Sequence, residues 1–377
     1  MGSERHIAIS RSSDPVPPDR LVEILAEPGF GLHFTDHMYL AEWTPVAGWH
    51  DARVTPYAPI SMDPATAVLH YAQEIFEGMK AYRHDDGSVW IFRPEENAAR
   101  MVRSARRLAL PEISEADFVA SVDALISTDE RWVPDPSGEK SLYVRPFMFA
   151  SEKFLGVRPA KHVTYMVIAS PAGAYFAKGV RPVSIWLSED YSRAGVGGMG
   201  AAKTGGNYAS SLIAQQEAME NGCDQVAFLD TVEQKWVEEL GGMNLFYVYD
   251  DGSIVTPALT GSILEGITRC SILDLCGKLG HRVEERRFSI QEWRDGVASG
   301  RIVEVFACGT AAVVTPVGTL KWRGGELSSG GPDGDRTGPV TRQLRAALVD
   351  IQYGRAEDTF GWMHRVPERG HATARLP

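Results

Sequence analysis

Strand-like and helix-like runs alternate along this chain without a regular βαβ period, and one stretch rich in proline and glycine, SPAGAYFAKGVRP, interrupts them near the middle. That pattern excludes a repeat array or an all-helical bundle and points to mixed sheets with helices packed on them. At 377 residues the chain exceeds the roughly 250 to 300 residues at which a single core stops growing. Two domains of mixed α/β (α+β) class are therefore expected: an arm over 1–30, a small domain over 31–170, a linker over 171–182 and a large domain over 183–377. Strands are read at FTDHMYLAEWT, GWHDARVTPYA, SVWIFRP, SLYVRPFMFAS, VTYMVIA, PVSIWL, DQVAFLD, GMNLFYVYDD and IVEVFACGT. Helices are read at PEENAARMVRSARRLAL, at EADFVASVDALISTDERW, over 207–221, at ILEGITRCSILDLCGKLG and at TRQLRAALVDIQYG.

Within the second half, Gly195 to Tyr208 sets a single lysine, Lys203, among glycines just before an apolar helix pattern. Gly195, Gly197 and Gly200 spell a dinucleotide fingerprint, but the residues SEDYSRA separate it from the strand it should follow directly. A phosphate-binding P-loop fails at Ala202, where glycine is required. The remaining chemistry for such a lysine is a Schiff base with pyridoxal phosphate, which needs an amine that its surroundings can deprotonate. A lysine in a glycine-rich loop is more commonly a solvated residue, so its partners have to decide.

Composition narrows the classes. A net charge of −11 and a pI near 5.5 argue against nucleic acid or an anionic membrane as main partner. The first residues lack an apolar signal core, and no apolar run reaches the roughly 18 residues of a spanning helix, so a cytoplasmic protein is expected. Cys223, Cys270, Cys276 and Cys308 form no C-x-x-C pair and read as reduced and structural. His33 and His37 have helix-like spacing but no further ligand beside them, so they read as a packed or surface pair and no metal is expected. No G-x-S-x-G elbow is present.

A pyridoxal phosphate site needs an acid for the ring nitrogen, an anion cradle and a group near the ring hydroxyl. WVEELGGMN offers Glu239, at the border of an apolar strand, and Glu238, read as a solvated turn acid. GSILEGITR opens a helix whose free N–H groups suit a phosphate, or it is an ordinary capped helix. The turn Cys308-Gly-Thr310-Ala311-Ala312 can bind an anion or simply close a hairpin.

These segments, with LHYAQEIFEGMKAYR, FRPEENAARM, LGVRP, GAAKTGGNY and FACGTAAVVTPV in the same order, closely resemble the branched-chain amino acid aminotransferases, pyridoxal phosphate enzymes of fold type IV. The resemblance spans roughly residues 30 to 317 and implies a smaller N-terminal domain, a larger C-terminal one and an active site between them. It implies that Lys203 carries the cofactor, that Glu239 pairs with the pyridine nitrogen and that Tyr208 bonds the ring oxygen. Arg100, the backbone at Ile267 and Thr268, and Thr310 would bind the phosphate. Arg103, Arg106 and Arg107 are left on a solvated helix face. Phe34, Phe76 and Tyr143 match the family's side-chain pocket, Tyr71, Thr310 and Ala311 its carboxylate contacts, and Arg145 the group that receives glutamate's second carboxylate. Leu155 and Val157 match a loop reaching the partner subunit's site, and Tyr71 likewise would act across the interface of an obligate homodimer.

The chain departs from the family at Glu265, usually proline, and at Gly242, where some relatives carry a phosphate-binding threonine. Ala312 to Thr315 lacks the redox cysteine pair of the mammalian enzymes. The expected reaction is a ping-pong exchange of an amino group between L-leucine, L-isoleucine or L-valine and 2-oxoglutarate, yielding L-glutamate. The rivals are a D-amino acid aminotransferase or aminodeoxychorismate lyase of the same fold, and a non-catalytic nucleotide-binding module.

Overall fold

The computed structural model describes residues 7–173, 181–331 and 334–368. Most of the expected linker thus lies outside the described residues, and its first two positions close a strand. The chain divides into two compact units. One holds Met1–Tyr175, Ala202–Gly205 and Ile351–Pro377; the other holds Phe176–Ala201 and Gly206–Asp350. The division departs from a simple cut of the sequence in two places. The turn carrying Lys203 and the C-terminal segment both belong with the first half of the chain.

The first unit is built on a nine-stranded sheet. Its strands are β1 (Ala8–Ile9), β2 (His37–Thr44), β3 (Gly48–Pro56), β4 (Glu74–Phe76), β5 (Met79–Arg83), β6 (Val89–Phe92), β7 (Ser141–Ala150) and β8 (Val163–Ala172), and the C-terminal strand Met363–Arg365 pairs with β6. The order is β1-β3-β2-β8-β7-β5-β6 and then the C-terminal strand, with β4 laid on β7. One face packs on the helices Pro94–Arg107 and Glu115–Thr128, where Met101, Phe118, Val122, Leu125 and Trp132 join the inward strand residues. The first helix starts as its sequence dictates, with Pro94 in its first turn and Glu95 and Glu96 facing the positive end of the dipole. Its buried stripe, Asn97, Ala98, Arg100, Met101, Ser104 and Ala105, recurs at three-to-four spacing and puts Arg100 and Ser104 inside. Arg103, Arg106 and Arg107 take the exposed face as expected.

The second unit holds the other nine-stranded sheet: β9 (Val183–Leu187), β10 (Gln225–Leu229), β11 (Val237–Leu240), β12 (Asn244–Tyr249), β13 (Ile254–Pro257), β14 (Val283–Arg286), β15 (Ile302–Gly309), β16 (Val313–Trp322) and β17 (Gly325–Ser328). The order is β11-β10-β9-β16-β15-β12-β13-β14, with β17 added on β16. Its core gathers Leu240, Leu245, Tyr247, Phe288, Trp293, Val305 and Ala307.

Three local expectations change. The helix expected over 207–221 is split into Gly205–Ala209 and Leu212–Glu220, because the Ser210 and Ser211 hydroxyls donate to the carbonyls of Asn207 and Tyr208. The helix expected from residue 263 begins only at Ile267. Ahead of it the Leu264 N–H donates to Glu239 and the Leu264 carbonyl accepts from Asn244, so those groups are unavailable to helix bonds. VEEL, read as a turn, is the buried strand β11, and Glu238 is only 6% exposed rather than solvated.

Candidate active site

In the first unit Lys203 is held through its backbone. Its N–H donates to Ser104 Oγ at 3.0 Å, and its carbonyl accepts the Phe76 N–H at 3.0 Å. The next two residues bind a carboxylate: Thr204 Oγ1 donates to Glu74 at 3.2 Å, and the Gly205 N–H donates to the same oxygen. A Cβ on Gly205 would stand 2.6 Å from that oxygen, so this approach requires glycine. The Lys203 ammonium nitrogen lies 4.7 Å from the centre of the Phe76 ring. The Arg145 guanidinium sits 4.7 Å from the same ring and 5.3 Å from that of Tyr143, whose hydroxyl it meets at 2.9 Å. Lys203, Phe76, Arg145 and Tyr143 therefore form one contact chain, as a lysine beside an apolar pocket with a single cationic edge would require.

Arg100 is buried and forms a two-pronged pair with the fully buried Glu77, Nε to one oxygen at 2.8 Å and an Nη to the other at 2.7 Å. Asn97 adds a third bond to Glu77 at 2.7 Å. The planar fork fixes the guanidinium's orientation. Phe34 stacks on Tyr57 with ring centres 5.2 Å apart. The Tyr71 hydroxyl donates to the Leu155 carbonyl, and Tyr71, Leu155 and Val157 are exposed at 40%, 65% and 89%. The Phe34–Tyr57 and Tyr71–Leu155 pairs are thus contacts of their own, and Val157 is exposed.

In the second unit Glu239 is 2% exposed. One of its oxygens accepts the Leu264 N–H at 2.8 Å and faces Arg193 Nη1 at 2.9 Å. Arg193 is equally buried, donates to the Ser262 carbonyl and keeps an Nε without a hydrogen-bond partner. Its neighbour Glu238 binds the Ser262 hydroxyl, and burial pushes the Glu238 carboxyl above its ordinary range. Tyr208 stands close to Gly242, where a Cβ would lie 3.7 Å from the ring. That spacing is ordinary van der Waals contact.

Ile267 and Thr268 open the helix Ile267–Lys278, whose N-cap, Gly266, supplies no side-chain bond. The first-turn N–H groups thus lack a side-chain cap, and a helix start of this kind can take an anion. Thr310 and Ala311, half-buried, turn the chain from β15 into β16. Within this unit an uncapped helix start, a buried carboxylate and a phenol fit the phosphate, ring nitrogen and ring oxygen of pyridoxal phosphate. The glycines of the loop serve packing: a Cβ on Gly200 would stand 2.2 Å from the Ser262 carbonyl oxygen, and Gly197 takes φ +74°.

The chain carries the class IV amino-transferase family pattern over residues 74–320. It belongs to the class IV aminotransferases. It is 58% identical over 358 residues to a probable branched-chain-amino-acid aminotransferase of Streptomyces coelicolor, covering 95% of this chain and 98% of that one. It is 53% identical over 363 residues to the branched-chain-amino-acid aminotransferase of Mycobacterium tuberculosis, covering 95% and 97%. The fold superposes on the Escherichia coli branched-chain amino acid aminotransferase with a TM-score of 0.73 at 29% identity, covering 88% of this chain and 99% of that one. It also matches the T.th. branched-chain enzyme with pyridoxamine 5′-phosphate at a TM-score of 0.71 and 30% identity, covering 87% and 98%. The fold is type IV.

Glu74, Glu77, Ser104 and Arg193 escaped sequence reasoning. The signal for Ser104 and Glu77 was weak: a helix stripe marks Ser104 as buried but not as an acceptor for Lys203. Arg193 sits in an irregular segment with no periodicity to mark it as inside. Among the described residues no group of His, Cys, Asp or Glu could hold a metal, and no helix is long and apolar enough to cross a membrane. His37, expected in a packed or surface pair, opens β2 and bonds Asp129 at 2.6 Å. Burial pushes the Cys276 thiol up to about 12 and that of Cys308 higher.

Proposed function

We propose that this chain is a pyridoxal-phosphate-dependent branched-chain amino acid transaminase that exchanges the amino group of L-leucine, L-isoleucine or L-valine with 2-oxoglutarate. The single observation that carries this is membership of the class IV family, with relatives of that name at 53–58% identity along almost the whole chain. The cofactor, when bound, supplies the electron sink that makes the amino acid's Cα–H acidic. Lys203 would hold it through its amine and, once released, would take up the proton of the amino acid's Cα. Glu239 keeps the ring nitrogen protonated, and its Arg193 partner holds it in place. Tyr208 bonds the ring oxygen. The N–H groups of Ile267 and Thr268, with Thr310 and Arg100, bind the phosphate.

The contact chain from Lys203 through Phe76 to Arg145 and Tyr143 supports dual specificity: the rings take a branched side chain, and Arg145 pairs with the second carboxylate of glutamate or 2-oxoglutarate. Phe34 extends the apolar wall, and Tyr71, Thr310 and Ala311 hold the α-carboxylate. Part of this reading is a homodimer in which Tyr71, Leu155 and Val157 serve the partner's site. Their exposure supports it by leaving all three side chains accessible to a partner chain. A cytoplasmic setting is supported by the four cysteines, which form no disulfide among the described residues.

The test is a half-reaction titration of cofactor-loaded protein with L-leucine, L-isoleucine, L-valine, D-alanine and L-glutamate. Absorbance conversion by the branched L-amino acids and L-glutamate is expected. Conversion by D-alanine alone would move the protein to the D-amino acid branch. Mixing Lys203→Ala with Tyr71→Ala chains tests the shared site, because a mixed dimer regains one intact site and therefore activity.

A further inference from the structure

We propose that Glu74 is the positioning residue of the lysine turn: its carboxylate clamps Thr204 and Gly205 so that Lys203 is presented from one fixed backbone conformation. The inference rests on the reading of Lys203 as the cofactor-bearing lysine. A lysine that serves as tether and proton carrier needs a mobile side chain on an immobile backbone, because small displacements of a reacting group cost rate steeply. Strand β4 meets that need twice. Its Phe76 N–H holds the Lys203 carbonyl, and its Glu74 side chain holds the Thr204 hydroxyl and the Gly205 N–H.

Ser104, from the helix Pro94–Arg107, closes the remaining position by accepting the Lys203 N–H. The strand itself is anchored, pairing Glu74 with Phe149 and Phe76 with Phe147 on β7. Bonds to an ionised carboxylate are about twice as strong as neutral ones, so Glu74 is the firmest of these anchors. Burial pushes its carboxyl upward, while the Gly205 N–H, the Thr204 hydroxyl and the charge of Arg145 favour the ionised form. A half-buried carboxylate persists where such donors compensate it. The glycine at 205 is the matching half of the device, since a side chain there would make the carboxylate shift from its place.

The test compares Glu74→Ala, Glu74→Asp and Glu74→Gln in the full chain. Hydrogen exchange at the Gly205 amide is expected to rise about tenfold in Glu74→Ala and Glu74→Asp, the latter because its shorter side chain withdraws the carboxylate. Turnover of L-leucine with 2-oxoglutarate should lose roughly 10- to 100-fold in kcat in the same variants, with KM within about twofold. Glu74→Gln keeps an acceptor oxygen and should stay within about threefold of wild type on both measures. Unchanged Gly205 exchange and kcat in Glu74→Asp overturn the proposal, even if Glu74→Ala does not fold. A raised KM at unchanged kcat also overturns it and assigns Glu74 to the substrate through Arg145. Absence of L-leucine turnover in the wild type would break the transaminase reading instead, and the exchange measurement, which needs no substrate, would still judge Glu74.

Discussion

The surroundings of Lys203 and of Glu239 solve opposite problems. Around Lys203 hydrogen bonds hold the backbone and the residues that follow it, and the amine stands over an aromatic face. Around Glu239 the strong bonds go to the side chain itself, through a backbone N–H and a guanidinium buried to the same degree. A group that must attack, let go and carry a proton is fixed at its root. A group whose charge must stay in place is fixed at its tip. The difference also predicts where damage should fall, on rate in the first case and on stability in the second.

The largest effect separates the two at once. Lys203→Ala should lower L-leucine turnover by roughly a thousandfold or more while leaving the urea midpoint of the apoprotein close to wild type. A variant retaining substantial turnover would remove Lys203 from the chemistry. Next, Arg193→Met should destabilise the apoprotein by about 3–5 kcal/mol, because it strands a buried carboxylate. Denaturant unfolding measures it, and a loss below about 1 kcal/mol would mean that Glu239 is not locked as described.

A smaller effect sharpens the Lys203 side. Ser104→Ala leaves the Lys203 N–H without its acceptor and should cost about 1–3 kcal/mol of stability, read by the same unfolding curves. The smallest lies far from either group. Burial opposes the charge on His364, but hydrogen bonds with Asp123 and Glu95 outweigh it and hold the imidazolium to about 10, against 6.5 when unfolded. A folded value above the unfolded one contributes stability that is full below pH 6.5 and disappears as the pH rises through about 10. The difference in Tm between wild type and His364→Gln should therefore shrink steadily from pH 6 to pH 10. A difference independent of pH would show that His364 acts through packing alone.

Much of this was legible in the chain. Apolar three-to-four spacing marked the helix Pro94–Arg107, whereas only the family resemblance set Arg100 apart from Arg106, and the long strands followed from β-branched and aromatic runs. Glu238 was misread as solvated because a glutamate beside paired glycines looks like a turn acid, and the Ser262 hydroxyl that meets it comes from a distant segment. The split of the 207–221 helix was invisible because serine is tolerated in helices, and its hydroxyl competes for carbonyls only where the local path allows.

Periodicity and the order of the motifs were enough for the family and the mixed sheets, since these depend on residues near one another in sequence or on their succession. Which groups hold Lys203 required the folded chain. Glu74, Ser104 and Arg193 act through hydrogen bonds a few ångströms long between segments separated by 46 to 131 positions. A short-range directional bond leaves no periodic trace in either segment it joins, so only tertiary packing could decide that Glu74 meets Gly205 and Arg193 meets Glu239.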